Sequence, residues 1–172
     1  MGNITLKLYA DKAPITVANF MRYVTDKRYD GGSFYRVVRL DNQSQNPIKI
    51  EVIQGGLLRD SAKMLPPIEQ ETTQKTGLRH VNGAISLARS APNSGGSEFF
   101  ICVNAQPELD FGGKRNPDGQ GFAAFGKVTR GMRIVRKIQQ GATGELDKPT
   151  TTPANPSQFL KTPVVITSIV RL

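Results

Sequence analysis

Three short apolar stretches of the chain each carry one polar side chain that could take part in binding or catalysis. Arg36 lies within Phe-Tyr-Arg-Val-Val, Gln54 ends Ile-Glu-Val-Ile-Gln, and Glu98 lies within Ser-Glu-Phe-Phe-Ile. Alternate residues of a strand share a face, so these polar groups would stand beside apolar neighbours: Phe34 and Val38, Val52 and Ile50, and Phe100, respectively. Adjacent faces of this kind form an apolar groove holding a few polar groups, which is typical of a ligand site. The pattern alone leaves one alternative open, a surface Arg36 paired with Glu98 in a salt bridge.

The single cysteine and the single histidine nominate no catalytic centre. Cys102 lies in an apolar run and is predicted to be a small packed residue, and one cysteine allows neither an internal disulfide nor a cysteine-based metal site. His80 has no partner that the sequence identifies, so a surface or a hydrogen-bonded structural histidine is predicted. Residues 94–97 do not form a nucleophile elbow, and residues 116–120 lack the spacing of a calcium loop. A hydrolase or a metal protein is therefore disfavoured.

Length and composition predict one loop-rich globular domain over residues 1–172. Apolar residues make up 38% of the chain, with 17 Gly and 11 Pro. No stretch approaches the ~20 apolar residues that cross a bilayer, so no membrane contact is predicted. Polar residues interrupt the start where a signal peptide would be apolar. The expected location is either the cytoplasm or, for a mature or trimmed form of an exported protein, the periplasm.

The net charge of +9 raises the question of nucleic acid. The basic residues are spread along the chain, and the densest set has helical spacing: Lys127, Arg130, Arg133, Arg136 and Lys137. Such a set is typical of a solvated face. Nucleic acid is therefore not predicted as the primary partner.

The elements that must position the polar residues are mostly strands. Periodicity predicts strands over 3–9, 34–40, 48–54, 83–87, 97–103, 122–128 and 164–170, and helices over 14–26 and 131–140. Gly55-Gly56 is predicted to break the third strand, and loops are predicted over 41–47, 56–83, 106–121 and 141–163. Because helices are absent between most strands, a parallel sheet is excluded. We predict a mainly β fold, an antiparallel β-barrel that is closed or nearly closed and capped by two α-helices.

Several segments together resemble the cyclophilins of bacterial type, a family of peptidyl-prolyl cis/trans isomerases. The segments are Phe34-Tyr35-Arg36-Val37-Val38, Ile53-Gln54-Gly55-Gly56 and Gly96-Ser97-Glu98-Phe99-Phe100-Ile101, with Leu8 to Pro14, Asn19-Phe20, Phe125 to Val128 and Gly131-Met132. They occur in the order found in the family. The resemblance extends from residue 3 to residue 170, with insertions at 41–49 and 111–121.

The resemblance implies an eight-stranded barrel with an outer groove that binds X-Pro segments of polypeptides, catalyses their isomerisation and so assists protein folding, without any cofactor or metal. It implies that Arg36 is the catalytic residue. The substrate-binding residues that it implies are Gln54 and Glu98 as polar groups of the groove, Val52, Phe100, Leu109 and Phe122 around the proline ring, and Ala88 and Arg89 beside the residue that precedes proline.

The chain departs from the family pattern at four positions near this groove. Cyclophilins typically have Phe where this chain has Glu51, Gln where it has Glu98, His where it has Phe122, and Trp near Glu108. These changes leave an alternative open, a catalytically weak or inactive domain that binds proline-containing segments as a chaperone or scaffold. The missing Trp also predicts weak or no binding of cyclosporin.

The start of the chain raises a further expectation. The resemblance implies a strand ahead of the one predicted here over 3–9, joined to it by a turn at a glycine that matches Gly2, but the sequence begins with Met1-Gly2. Either that strand is missing, or the sequence is a trimmed form of a protein that carries it. An unpaired strand edge tends to recruit another chain. We therefore expect a monomer with an open edge at 3–9 or 164–170 that pairs with a second copy, is covered by the 141–163 connector, or stays open.

Overall fold

Seven antiparallel strands form one sheet in the computed structural model, which describes residues 1–58, 60–144 and 156–172. The strands are β1 Thr5–Leu8, β2 Ser33–Val38, β3 Val52–Gly56, β4 Ala84–Leu87, β5 Phe99–Cys102, β6 Ala123–Arg130 and β7 Phe159–Val165; the helices are α1 Pro14–Thr25, α2 Thr73–Thr76 and α3 Met132–Gln139. The order across the sheet is β1-β6-β4-β5-β3-β2-β7. The mainly β class is confirmed, and α1 and α3 end within one residue of their predicted limits. No described helix is long and apolar enough to span a bilayer.

The main core lies between one face of the sheet and α1. Phe20 of α1 contacts Tyr29, Phe99 and Phe125 with ring centroids 5.3–5.6 Å apart. The N-terminus of α1 is held by Glu71, whose carboxylate accepts hydrogen bonds from the backbone N–H groups of Ile15 and Thr16 at 3.2 and 2.7 Å. A negative charge at this end of a helix is stabilising.

A second apolar cluster lies on the opposite face of the sheet. Its buried members are Val38, Ile50, Val52, Ala84, Phe100, Cys102 and Leu109, and Ala88 and Phe122 pack against them. Strand alternation explains the two faces, since Ile53 and Phe99 belong to the main core while their neighbours Val52 and Phe100 belong to the second cluster. The predicted division of residues between faces is confirmed for β3 and β5.

The predicted limits of the third strand were wrong. β3 begins at Val52 and runs through Gly55-Gly56, where a break was expected. Glycine is needed at position 55 inside the strand because a Cβ atom there would lie 2.8 Å from Cδ1 of Phe34 on β2. Before β3, Gln43 bonds to the backbone N–H and C=O groups of Ile50 and so replaces strand pairing there.

The predicted closing strand over 164–170 was also wrong, because β7 runs from Phe159 to Val165. Phe159 stacks on Tyr35 with ring centroids 6.0 Å apart, and Val164 pairs with Phe34. Part of the predicted connector is therefore strand, and its residues 145–155 lie outside the described residues. The short helix α2 also lies in a stretch that was predicted to be a loop.

β1 and β7 are the two ends of the sheet, and no backbone ladder joins them within the described residues. A cavity of about 370 Å³ lies beside β7 and is lined in part by Met1, Ile138, Leu160 and Val164. The segment 142–144 covers one end of β7, through the bond from the Lys161 N–H to the Ala142 carbonyl. Among the described residues there are seven strands, one fewer than the eight that the resemblance implies.

Candidate active site

A β-bulge in β2 turns Arg36 out of the main core. Phe34 pairs with Gly55 and Arg36 pairs with Gln54, so Tyr35 is an extra residue with no partner of its own on β3. Phe34 consequently packs in the main core, and the prediction that it shares a face with Arg36 was wrong. The predicted sharing with Val38 holds, since Val38 belongs to the second cluster.

Cross-strand pairing brings the predicted groove residues into a row. Arg36 of β2 pairs with Gln54 of β3, which pairs with Phe100 of β5. Neighbouring strands lie about 4.8 Å apart, so a short bound peptide that crosses the strands can contact all three side chains. The next row, formed by Val38, Val52 and Cys102, is fully apolar.

Hydrogen bonds on two sides hold the guanidinium of Arg36. Its Nε and Nη2 donate to Oε1 of Gln158 at 3.0 and 2.6 Å, and its Nη1 donates to Oε1 of Gln54 at 2.6 Å. Gln158 is itself 1% exposed and donates to the carbonyl of Asn42 at 3.0 Å. An arginine carries five N–H groups, so two of them have no acceptor among the described residues. Burial lowers the pKa of Arg36, and the guanidinium remains charged at neutral pH.

A chain of hydrogen bonds fixes the amide of Gln54 and separates Arg36 from Glu98. Gln54 Nε2 donates to the Tyr35 hydroxyl at 2.9 Å, and that hydroxyl donates to Glu98 Oε2 at 2.5 Å. Burial, followed by the charge of Glu98, raises the pKa of Tyr35 well above its ordinary value, so Tyr35 stays a donor. Glu98 also accepts from the Leu57 N–H at 3.0 Å. The alternative of a direct ion pair between Arg36 and Glu98 was therefore wrong.

Two aromatic rings form the centre of the apolar part of the groove. Phe100 and Phe122 meet edge to face with centroids 5.2 Å apart, and Leu109 and Val52 are 1% and 3% exposed beside them. Phe122 is only partly buried, as is Ala88. The four residues predicted to surround the proline ring thus lie in one cluster, next to Arg36 and Gln54.

Arg89 packs against this cluster, and hydrogen bonds within the protein hold its guanidinium. Its guanidinium forms two bonds to the Asp118 carboxylate, at 2.7 and 2.8 Å, and a third to the Gly121 carbonyl at 2.8 Å. It lies 5.3 Å from the ring centroid of Phe122, and its side chain is 3% exposed. Arg89 therefore ties the 111–121 insertion to the pocket, and its contact with a substrate stays a prediction.

His80 is a buried structural histidine. Its Nδ1 lies 2.7 Å from Oδ1 of Asp110 and its Nε2 lies 2.9 Å from Oγ of Ser86. Although burial acts in the opposite direction, the hydrogen bonds from His80 lower the pKa of Asp110. The three residues resemble a hydrolase triad in kind, but Ser86 is 0% exposed and no substrate can reach its hydroxyl. The ring of His80 instead stacks beneath Phe100 at 5.9 Å and supports the pocket.

Three polar residues that the structure links to the groove were not predicted from the sequence. Tyr35 had no visible role because the bulge that turns it toward Glu98 leaves no signature in the alternation. Gln158 lies in a 3₁₀ turn, Pro156–Gln158, within a stretch that had no periodicity. Arg115 lies in the 111–121 insertion, where the resemblance supplies no counterpart.

Comparisons with known proteins agree with this geometry. The family model for cyclophilin-type peptidyl-prolyl cis-trans isomerases matches residues 1–166. Peptidyl-prolyl cis-trans isomerase A of Dickeya dadantii is 36% identical over 159 residues, which cover 90% of this chain and 75% of the relative. Peptidyl-prolyl cis-trans isomerase B of Escherichia coli is 35% identical over 147 residues, covering 83% of this chain and 82% of the relative.

A solved structure shares the fold. It is a Cryptosporidium parvum cyclophilin-type peptidyl-prolyl cis-trans isomerase, solved in the presence of the dipeptide Ala-Pro, with a TM-score of 0.62 and 19% sequence identity over 96% of this chain and 93% of that one. The family model and the relatives, which extend over the groove of Arg36, Gln54 and Phe100, show that the chain belongs to the cyclophilin-type peptidyl-prolyl cis-trans isomerase family.

Proposed function

We propose that this chain isomerises X-Pro bonds of polypeptides by holding the twisted imide between Arg36 and the apolar pocket of Phe100, Phe122, Leu109 and Val52. The observation that carries the proposal is the guanidinium of Arg36, which is fixed by Gln158 and Gln54 and retains two N–H groups without an acceptor among the described residues. Proline-containing polypeptides are its substrates, as the family indicates.

The reaction is a rotation about the C–N bond, in which no proton, electron or chemical group is transferred. The barrier to rotation about a peptide bond is about 18–20 kcal/mol because the C–N bond is partly double, and the two isomers of an X-Pro bond differ by only about 0.5–1 kcal/mol. A catalyst must therefore bind the twisted imide more tightly than either planar isomer. A thousandfold acceleration requires about 4 kcal/mol of such differential binding.

Arg36 supplies that difference in the proposed mechanism. When the imide twists, resonance is lost and the prolyl nitrogen regains a lone pair that can accept a hydrogen bond. A positioned guanidinium N–H can donate to this nitrogen only in the twisted state, which makes the bond selective for the transition state. The aromatic pocket holds the proline ring and excludes the water that favours the planar amide. Gln54, with its amide oriented by Tyr35, keeps Arg36 in place.

The alternative of an inactive binding domain is not favoured. The substitutions at Glu98 and Phe122 preserve the polar chain to Gln54 and the aromatic pocket, respectively. Curated relatives at about 35% identity are named isomerases. The proposal takes the acting unit to be a monomer, and pairing of the open β1 or β7 edge with a second copy stays a prediction.

The function is tested by a protease-coupled assay on short X-Pro peptides. Wild-type protein at nanomolar concentration should accelerate the slow cis-to-trans phase in proportion to its concentration, because the protease cleaves only the trans isomer. Heat-denatured protein is the control. A slow phase that keeps its uncatalysed rate at micromolar folded protein would contradict catalysis and favour the binding domain.

Cyclosporin should inhibit this protein weakly. Glu108 stands near the position where the resemblance implies a supporting indole, and its carboxylate accepts from the Lys114 N–H at 2.8 Å while its carbonyl accepts from the Arg115 N–H. A charged, engaged side chain offers no apolar surface to the drug. The measurement is the inhibition constant, determined beside that of a Trp-bearing cyclophilin. Equal inhibition of the two proteins would show that the alignment of residues 103–110 is wrong.

A further inference from the structure

A second arginine is fixed near Arg36 by the two segments that have no counterpart in the family pattern. Arg115 belongs to the 111–121 insertion, and its Nη1 donates to Oε1 of Gln43 at 2.8 Å and to the carbonyl of Ile48, both in the 41–49 insertion. Gln43 is 0% exposed and is itself anchored on the carbonyls of Arg39 and Ile50, each at 2.7 Å. The guanidinium of Arg115 is therefore held on a rigid support that continues into Ile50, a member of the second apolar cluster.

The charge of Arg115 is not compensated. Its Nε and Nη2 have no acceptor, and no carboxylate lies within ion-pair distance of it, among the described residues. Burial, and next the charge of Arg36, lower the pKa of Arg115. A short path of contacts links the two guanidinium groups: Arg115 bonds to Gln43, and the carbonyl of the preceding residue, Asn42, accepts from the Gln158 amide that holds Arg36. Like charges linked in this way repel one another. An anion bound between them would relieve this repulsion and form charge-assisted hydrogen bonds with the unused N–H groups.

The direction of the groove indicates which part of a substrate reaches Arg115. The resemblance places the residue before proline at Ala88 and Arg89, beyond the end of β4, and the proline ring lies over Phe100 of β5 in the proposed function. The sheet continues from β5 to β3 and β2. The chain that follows the proline therefore runs over Gln54 toward Arg36 and the 41–49 insertion, whose Gln43 and Ile48 accept hydrogen bonds from Arg115.

We infer that Arg115, together with Arg36, forms a subsite for the carboxylate of an acidic residue in the first two positions after the proline. This inference rests on the proposed function and names a substrate class for it: X-Pro segments followed by Asp or Glu. Arg115 acts there as a specificity-determining residue. It binds the substrate next to the reacting X-Pro bond, whereas Arg36 also donates a hydrogen bond to the prolyl nitrogen of that bond.

The test compares two peptides that differ only in charge, acetyl-Ala-Ala-Pro-Glu-amide and acetyl-Ala-Ala-Pro-Gln-amide, whose exchange is followed by NMR with catalytic amounts of protein. Wild type should isomerise the Glu peptide with a kcat/KM about tenfold higher, which is the effect of one charge-assisted hydrogen bond. In Arg115→Gln the ratio of the kcat/KM values for the Glu and Gln peptides should fall to about one. Lys114→Gln is the matched control, because Lys114 is an exposed cation on the same loop. Its side chain makes no hydrogen bond or ion pair with any described residue, and only its backbone N–H donates, to Glu108, so this variant should keep the wild-type ratio.

The outcomes separate the inference from the proposed function. If the wild type accelerates neither peptide, the proposed function fails. If it accelerates both equally, or if Arg115→Gln keeps the preference for Glu, only the inference fails. A merely structural role of Arg115 would lower both rates by the same factor and leave the ratio unchanged. Should Arg115→Gln not fold, Arg115→Lys must retain a preference for the Glu peptide, and raising the salt from 0.05 to about 0.5 M must reduce the wild-type ratio; a salt-independent ratio would overturn the inference.

Discussion

Replacing Arg36 by alanine should lower kcat/KM on X-Pro peptides at least tenfold. Strand pairing places Arg36 in one row with Gln54 and Phe100. Two glutamines, Gln158 and Gln54, orient its guanidinium. Its loss removes the donor to the prolyl nitrogen, which acts in the transition state. The protease-coupled assay gives the rate constant, and Arg36→Lys, which keeps the charge without the planar fork, should recover only part of the loss.

The same substitution should also lower the melting temperature by several degrees. Arg36→Ala leaves the buried Oε1 of Gln158 without its two donors, and an unpaired buried polar group costs about 1–3 kcal/mol. At about 2–4 °C per kcal/mol for a chain of this size, the protein stays folded at 25 °C. A folded Arg36→Ala protein with wild-type activity would remove Arg36 from the mechanism.

Phe100→Ala should have the largest combined effect on stability and activity. Phe100 is 4% exposed, stacks on His80 and meets Phe122 edge to face. Truncating a buried phenylalanine costs about 3–5 kcal/mol, which corresponds to a loss of about 10 °C in Tm. Since the same ring forms the base of the proline pocket in the proposed function, KM should rise about tenfold even where the protein is fully folded.

Phe99→Ala is the matched control because Phe99 is the adjacent residue of β5 and points into the main core. It is 2% exposed and packs against the rings of Phe20, Tyr29 and Phe34. Its loss should destabilise the chain by a similar amount and leave KM within about twofold below the melting transition. If either variant does not fold, the pair Phe99→Leu and Phe100→Leu makes the same comparison. Equal effects of the two positions on KM would contradict the assignment of Phe100 to the pocket.

Alternation of side chains was enough to predict which residues share the groove wherever the strands are regular. Val52 with Gln54, and Phe99 against Phe100, follow directly from a period of two. The prediction was wrong at Phe34, because the bulge at Tyr35 inserts one residue and reverses the faces before it. A bulge depends on the pairing of two distant strands, so a single segment of sequence does not reveal it.

Contacts between segments far apart in the chain account for the other residues that were not predicted. Gln158 reaches Arg36 across a separation of 122 residues, and Arg115 reaches Gln43 across 72. Neither residue lies in a periodic element, and polar residues in loops have no preferred partner at the level of sequence. His80 shows the same limit, since its two partners, Asp110 and Ser86, become neighbours only when β4 and the loop after β5 are folded.

The central claim is that Arg36 binds the twisted imide more tightly than either planar isomer. The most direct test measures, by NMR on one X-Pro peptide, both the dissociation constant and the cis/trans exchange rate of the bound peptide, for wild type and Arg36→Ala. The account predicts dissociation constants within about threefold of each other and an exchange rate on the protein that is at least tenfold lower in the variant. A dissociation constant that rises by the whole tenfold, with an unchanged exchange rate on the protein, would show that Arg36 only binds the peptide and would contradict the account.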